Sequence, residues 1–250
     1  MVWDKSIKSI LQEFPADRLT FQKGIATFHP ESADDAARLF ALANKIDQKL
    51  FITGFGNNID PEGEKFRKLI TIRTDRLNAI LKIAPEDFYI VVGSGYPLSE
   101  INRVLYEHGL FMPHAGLPYA GSVGGALAAG LAANQGEHGL PIGRYFIMAE
   151  IVLPTGEIIK PGSVCFKSVS GFDIVKIFSP SWGLLGLIVS ATLRVLPLSV
   201  REEYDNLKMK PIDYRAFCRL YNNPGADIAA QYSLKIKHKF DPKNILPLVE

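Results

Sequence analysis

Residues 120–134, AGSVGGALAAGLAAN, hold four glycines, six alanines, one serine and no charged side chain. A run of small residues lets a backbone approach something large and flat, and Gly124 and Gly125 remove Cβ atoms at the point of approach. Polar groups of a ligand would then meet main-chain N–H groups rather than side chains. Two other uses fit the same residues: a tightly packed core helix, or a helix presenting a Gly121/Gly125 GxxxG face. The run is too short to span a bilayer, which takes roughly 20 apolar residues. The rest of the chain has to decide.

At 250 residues the chain is long enough for one large or two small domains with a substantial core. Its 47% hydrophobic and 22% charged residues are ordinary for a globular protein. A net charge of +2 gives no reason to expect a nucleic-acid or membrane partner. Asp4, Lys5 and Lys8 interrupt the N-terminus where a signal peptide needs an apolar run, and no transmembrane segment follows, so a cytoplasmic location is expected. Cys165 and Cys218 form no CxxC pair, so no metal or iron–sulfur site is expected; two thiols fit a reducing compartment, with a disulfide as the alternative.

Along the chain, residues 4–13 read as a short amphipathic helix and Ile25–Phe28 as a strand ended by His29-Pro30. The clearest helix runs from Ser32, its N-cap, to about Ile46, with Ala36, Leu39, Phe40, Ala43 and Ile46 on one face. Strands follow at Leu50–Thr53 and Leu69–Arg73, an alternation that suggests an α/β layer. Phe88–Val92 reads as a strand ending in Gly93-Ser94-Gly95, and Leu98–His108 as a helix stopped by Gly109. After the Ala/Gly stretch come a polar loop, Gln135–Gly143, and a hairpin, Ile147–Leu153 with Glu157–Lys160. Asp173 is placed to cap a short helix through Phe178, and Gly186–Leu196 reads as a strand. A helix is expected near Tyr214–Tyr221, and the basic run Lys235–Lys239 reads as a solvated helix face.

Two further segments are candidates for ligand contact. Gly54-Phe55-Gly56-Asn57-Asn58 follows a strand, and its consecutive N–H groups suit either a concave anion site or a tight turn. It is neither a P-loop, since no GKS or GKT follows, nor a Rossmann fingerprint. Ser181-Trp182-Gly183-Leu184-Leu185-Gly186-Leu187-Ile188 precedes a strand, where its glycines fit a bulge or a ligand contact.

Taken in order, several motifs resemble the FAD-binding domain of the vanillyl-alcohol oxidase and p-cresol methylhydroxylase superfamily, the PCMH-type FAD-linked oxidase domain. Asp75-Arg76-Leu77-Asn78 stands ahead of a strand and Gly93-Ser94-Gly95. Leu105-Tyr106-Glu107-His108-Gly109-Leu110-Phe111-Met112-Pro113 is similar to "aEHGLflP", and Ser122-Val123-Gly124-Gly125 to the TIGG or TVGG core. Glu150–Glu157 resembles "evVLpdGe", Lys167–Asp173 "KdvaGYDl", Gly183–Ile188 "GtLGvIt" and Leu193–Pro197 "lrllP". The likeness covers about residues 10–198.

The resemblance implies an α+β, two-subdomain PCMH-type fold with FAD between the halves: subdomain 1 over residues 1–82, subdomain 2 over 83–198, and a short C-terminal segment over 199–250 in place of a cap domain. It implies that Gly54, Phe55, Gly56, Asn57 and Asn58 take the pyrophosphate, that Pro118, Ala120, Gly121, Ser122, Gly124, Gly125, Ala128 and Ala129 line the flavin and diphosphate, and that Gly183, Gly186, Leu187 and Ile188 hold another part of the cofactor. Asn57 or Asn58 stands where some members carry a histidine that bonds FAD covalently, so FAD is expected to dissociate. Gly143-Arg144-Tyr145 replaces a usual Arg-Asp, Asn134-Gln135 a common Ser-Gly, and Pro247 the asparagine of the terminal "fDPkgilNP".

The brevity of the region after Pro197 implies a naturally shortened member, similar to the small FAD-binding subunit of glycolate oxidase, which works beside a larger flavoprotein and an iron–sulfur subunit. The implied function is an FAD-carrying subunit of a glycolate- or lactate-type 2-hydroxy-acid dehydrogenase complex. The alternatives are a stand-alone flavin oxidoreductase for a small hydroxy acid or alcohol, and a non-catalytic assembly module. His138 and His114 are the histidines nearest the flavin stretch in sequence, but no catalytic residue is assigned. One prediction follows: Gly125→Val, which puts a branched side chain on the proposed cofactor wall, loses FAD while the circular dichroism spectrum stays that of the parent. Undiminished FAD affinity in this variant would mean that the wall is misplaced.

Overall fold

The computed structural model of the chain describes residues 5–59, 61–118, 121–164 and 173–249. Ala120, Cys165 and the segment Lys167–Phe172 therefore lie outside the described residues. The chain opens with α1 (Lys5–Leu11), whose Ile7 and Ile10 are buried. β1 (Leu19–Gln22) and β2 (Ile25–Phe28) pair antiparallel across a left-handed Lys23-Gly24 turn. Ser32 caps α2 (Ala33–Lys45) by accepting the Asp35 N–H, and Asp34 and Asp35 sit at the positive end of the helix dipole. Ala36, Leu39, Phe40 and Ala43 are wholly buried, but Ile46 falls just past the last helical turn and is 43% exposed. β3 (Leu50–Thr53) and β4 (Ile70–Arg73) complete a sheet of order β1-β2-β4-β3, in which β2, β4 and β3 run parallel.

The second sheet begins with β5 (Ile80–Ala84) and β6 (Tyr89–Gly93). The chain then leaves it through α3 (Ile101–Leu105), β7 (Leu110–Phe111) and α4 (Val123–Ala129). Flanking 3-10 turns make residues 98–108 one helical run with a short α core, stopped by left-handed Gly109. The segment expected as a polar loop is instead a hairpin, β8 (Ala132–Gln135) with β9 (His138–Pro141), turned by Gly136-Glu137 with Gly136 at φ 58°. Its composition is poor in strand formers; pairing rather than propensity makes it extended. β10 (Phe146–Val152) and β11 (Ile158–Ile159) form the expected hairpin. Asp173 precedes a 3-10 turn, Ile174–Phe178, but its side chain makes no capping hydrogen bond. β12 (Leu187–Arg194) pairs antiparallel with both β10 and β6, giving the sheet order β11-β10-β12-β6-β5. β13 (Leu196–Pro197) joins β7, and β14 (Lys208–Met209) joins β8.

The two sheets share a core. Phe28, Phe40, Leu50, Ile70 and Ile72 from the first side pack in one cluster with Val152, Leu187 and Val189 from β10 and β12. A larger cluster buries Val123, Ala126 and Leu127 of α4 against β6, β10 and β12. The chain ends in α5 (Tyr214–Asn222) and α6 (Ile228–Phe240).

Lys237 corrects the reading of the basic run as fully solvated. It is 4% exposed, is paired with Asp241, and donates to the Leu246 carbonyl at 2.8 Å. Burial lowers its pKa, while the hydrogen bond and charge of Asp241 oppose that shift. Asp241 also accepts the N–H groups of Ile245 and Leu246 at 2.7 and 2.8 Å. Ile245 in turn takes the Leu50 N–H at 2.8 Å, so this knot fastens the C-terminal segment to β3. Removing one partner of a buried pair strands the other charge. Asp241→Ala is therefore expected to lose about 3–5 kcal/mol in urea unfolding. The double variant Lys237→Met/Asp241→Leu should recover much of that loss; equal stability of Asp241→Ala and the parent would show that the knot does not hold the segment.

Candidate functional site

A cleft opens where the end of β3, the first turn of α4 and the start of β12 converge. Its empty space, open mouth included, is about 740 Å³. The chain crossings that form it leave no room for side chains. Gly95 donates its N–H to the Leu77 carbonyl at 2.9 Å, and a Cβ there would strike the Thr74 carbonyl. A Cβ on Gly124 would lie 2.7 Å from the Ser94 Cβ, and the Gly124 N–H donates to the Ser94 carbonyl at 2.7 Å. Thr74, Ser94 and the first turn of α4 are thus drawn to one point by backbone contact. A Cβ on Gly54 would strike the Ser122 hydroxyl, so the glycine loop closes against the same turn.

α4 is sorted by side-chain size rather than polarity. Val123, Ala126 and Leu127 enter the core, whereas Gly125, Ala128 and Ala129, at helical spacing, keep some exposure and line the cleft. Ser122 caps the helix by accepting the Gly125 N–H at 3.1 Å. With Val123 bonded to the Tyr96 carbonyl and Gly124 to Ser94, the first N–H groups of this helix are all used internally. Main-chain donors without a backbone acceptor lie instead in the 54–58 loop. The N–H groups of Phe55 and Gly56 meet no backbone acceptor among the described residues, and Gly56 adopts φ 85°. The Arg73 guanidinium fixes this loop from behind, donating to the carbonyls of Gly54 and Phe55 at 3.3 and 3.2 Å.

Two buried hydroxyls on the lining have no hydrogen-bond partner among the described residues: Ser94 Oγ, in a residue with no exposure, and Thr74 Oγ1, in one 4% exposed. Native structures leave few such groups. Among the described residues, none on the lining carries a charge. Next to Thr74, Asp75 is stabilised as a carboxylate: burial opposes ionisation, but a 2.8 Å hydrogen bond to His29, with the His29 and Arg73 charges, lowers its pKa.

The cleft unites Gly54, Phe55, Gly56, Asn57 and Asn58 with Gly121, Ser122, Gly124, Gly125, Ala128 and Ala129, and with Gly183, Gly186, Leu187 and Ile188. Pro118 is exposed and is not part of the lining; Ala120 is outside the described residues. Thr53, Thr74 and Ser94 join the lining without having been expected there, and so do Ser181 and Trp182 at the head of a candidate segment of which only Gly183, Gly186, Leu187 and Ile188 were assigned to the cofactor. The Gly-Ser-Gly pattern around Ser94 was the available signal. Neither His138, exposed on β9, nor His114 is in the lining. His114 is wholly buried, 2.9 Å from the Leu140 carbonyl through Nε2, and burial lowers its pKa. Among the described residues, no His/Cys/Asp/Glu cluster is arranged for a metal, and no helix is long and apolar enough to cross a membrane.

Comparison with known proteins agrees with this geometry. D-lactate dehydrogenase of Archaeoglobus fulgidus is 24% identical over 210 residues, covering 79% of this chain and 47% of that protein. Glycolate oxidase subunit GlcD of Bacillus subtilis is 26% identical over 210 residues, covering 82% of this chain and 41% of its own length. The chain thus spans about half the length, or less, of these curated relatives. Among solved structures, an alkyldihydroxyacetonephosphate synthase superposes with a TM-score of 0.64 at 19% identity, over 79% of this chain and 41% of that one, so the fold is shared with part of that longer chain. The profile of the FAD binding domain matches residues 25–162, more than half of the sequence, and the chain accordingly belongs to the FAD binding domain family of FAD-linked oxidoreductases.

Proposed function

We propose that this chain binds FAD non-covalently in the cleft and serves as the FAD-carrying unit of a 2-hydroxy-acid dehydrogenase of the glycolate or lactate type. The observation that carries the reading is a pair of hydroxyls without a partner among the described residues, Ser94 Oγ and Thr74 Oγ1, in a described lining that holds no charged residue and presents glycine and alanine along the 54–58 loop and α4. A diphosphate needs hydrogen-bond donors and no nearby carboxylate, and a long flat ligand needs walls without side chains. The lining supplies both. The Arg73 cation behind the 54–58 loop adds favourable charge without occupying the cleft. No histidine or cysteine lines the cleft among the described residues, which favours a cofactor held without a covalent bond.

When bound, FAD supplies a two-electron acceptor for a carbon bearing a hydroxyl. The residues of this chain would hold and shield it: Phe55 and Gly56 through N–H groups, Ser94 and Thr74 through hydroxyls, and Gly125, Ala128 and Ala129 through a flat face. The assignment to hydroxy acids draws support from the activities named for the D-lactate dehydrogenase and glycolate oxidase relatives. Operation beside a larger flavoprotein and an iron–sulfur subunit is the form of this function that we propose, and it draws support from the relative named as a glycolate oxidase subunit.

Purified full chain is expected to show flavin absorbance that denaturation releases. Bleaching by glycolate or D-lactate should need the partner subunits; bleaching by the chain alone would favour a stand-alone oxidoreductase. A colourless protein that FAD cannot reconstitute would contradict the reading. Ser94→Ala offers a finer test. It deletes a buried hydroxyl that has no partner among the described residues, so the FAD-free protein should melt at the parental temperature or slightly above it. FAD affinity should fall about fivefold, the worth of roughly one hydrogen bond. A lowered Tm with unchanged FAD affinity would show that Ser94 serves only the fold.

A further inference from the structure

Trp182 stands on the cleft lining, and its surroundings are built to hold its ring in place. Its backbone is left-handed, φ 52°, a conformation non-glycine residues rarely adopt. The N–H groups of Ser181 and Trp182 both donate to the Ala128 carbonyl, at 3.0 and 2.8 Å, which ties the turn to the end of α4 remote from Ser122. The ring then meets an aromatic row from the C-terminal segment. Tyr214 lies 4.7 Å away between ring centroids and Phe217 5.6 Å away; Tyr221 continues the row 5.9 Å beyond Phe217. These residues occupy one face of α5 with Cys218, the only buried residue of that helix among those described. The Tyr214 hydroxyl donates to the Val249 carbonyl at 2.7 Å, so the row is fastened to the chain end. Trp182 shares the cleft lining with the small residues Ala128, Ala129 and Gly183.

We infer that Trp182, backed by the α5 aromatic row, is a stacking residue for one planar ring system of the dinucleotide. The inference rests on the FAD reading of the cleft. It gives the C-terminal segment a task at the site: Tyr214 and Phe217 are positioning residues that hold the Trp182 ring over the cleft. Aromatic rings attract one another in offset or tilted stacks, and a ring already fixed by its neighbours loses little freedom when a ligand joins it.

The chain has only two tryptophans, Trp3 and Trp182, so Trp3→Phe makes Trp182 a single fluorescent reporter. FAD binding is measured independently by equilibrium dialysis of the full chain. If FAD does not bind at all, the FAD reading fails and this inference with it. If FAD binds, Trp182 emission in Trp3→Phe should be quenched in step with occupancy. Trp182→Ala should weaken FAD binding about tenfold, Trp182→Phe by less than about threefold, and Tyr214→Ala/Phe217→Ala should fall between them. Titrating ADP and FMN separately assigns the ring: quenching by ADP places adenine on Trp182, and quenching by FMN places the isoalloxazine there. Unchanged Trp182 emission at saturating FAD, or parental affinity in a folded Trp182→Ala, would overturn the inference. The emission measurement needs no Trp182 variant, so it decides the matter even if Trp182→Ala does not fold.

Discussion

Gly124 rests on Ser94 with no side chain between them, joined by a 2.7 Å backbone hydrogen bond. The cleft depends on that contact. It seats α4 directly on the end of β6, turns Val123, Ala126 and Leu127 into the core, and leaves the small face of the helix outward. It also isolates the Ser94 hydroxyl, buried and without a partner among the described residues, on the cleft lining. The absence of Cβ atoms at Gly124 and Gly54 therefore first serves the protein's own packing. Under the proposed function, access for a flat ligand follows at Gly125, Ala128 and Ala129, which line the cleft.

Much of this was legible in the sequence because it rests on local chemistry. Ser32 with Asp34 and Asp35 announces α2, and the spacing of Ala36, Leu39, Phe40 and Ala43 announces its buried face. The ordered motifs from Asp75 to Pro197 pointed to the family, and the three glycine-bearing segments singled out in the sequence meet at one cleft. What stayed hidden was decided at long range. The 132–141 hairpin has the composition of a loop and is extended by partners, including β14, more than sixty residues away in sequence. Lys237 sits in a basic run that reads as solvated, and only Asp241 and the Leu246 carbonyl explain its burial. Ser94 and Thr74 were unremarkable until two segments crossed beside them.

The C-terminal segment acquires meaning in the same way. From the sequence it reads as a polar remainder. In the fold it is fastened to β3 through Ile245 and brings α5 against Trp182 at the cleft. Under the proposed function, the last fifty or so residues both anchor the sheet that carries the 54–58 loop and steady one wall of the cofactor site.

The central claim is that FAD lies in the cleft formed by the 54–58 loop, α4 and the start of β12. Hydrogen–deuterium exchange of the full chain, with and without saturating FAD, tests it most directly. The account predicts slowed amide exchange together in residues 53–59, 121–129 and 181–188, with the exposed 135–139 turn unchanged. Protection confined to other regions, or protection of only one of the three segments, would contradict it.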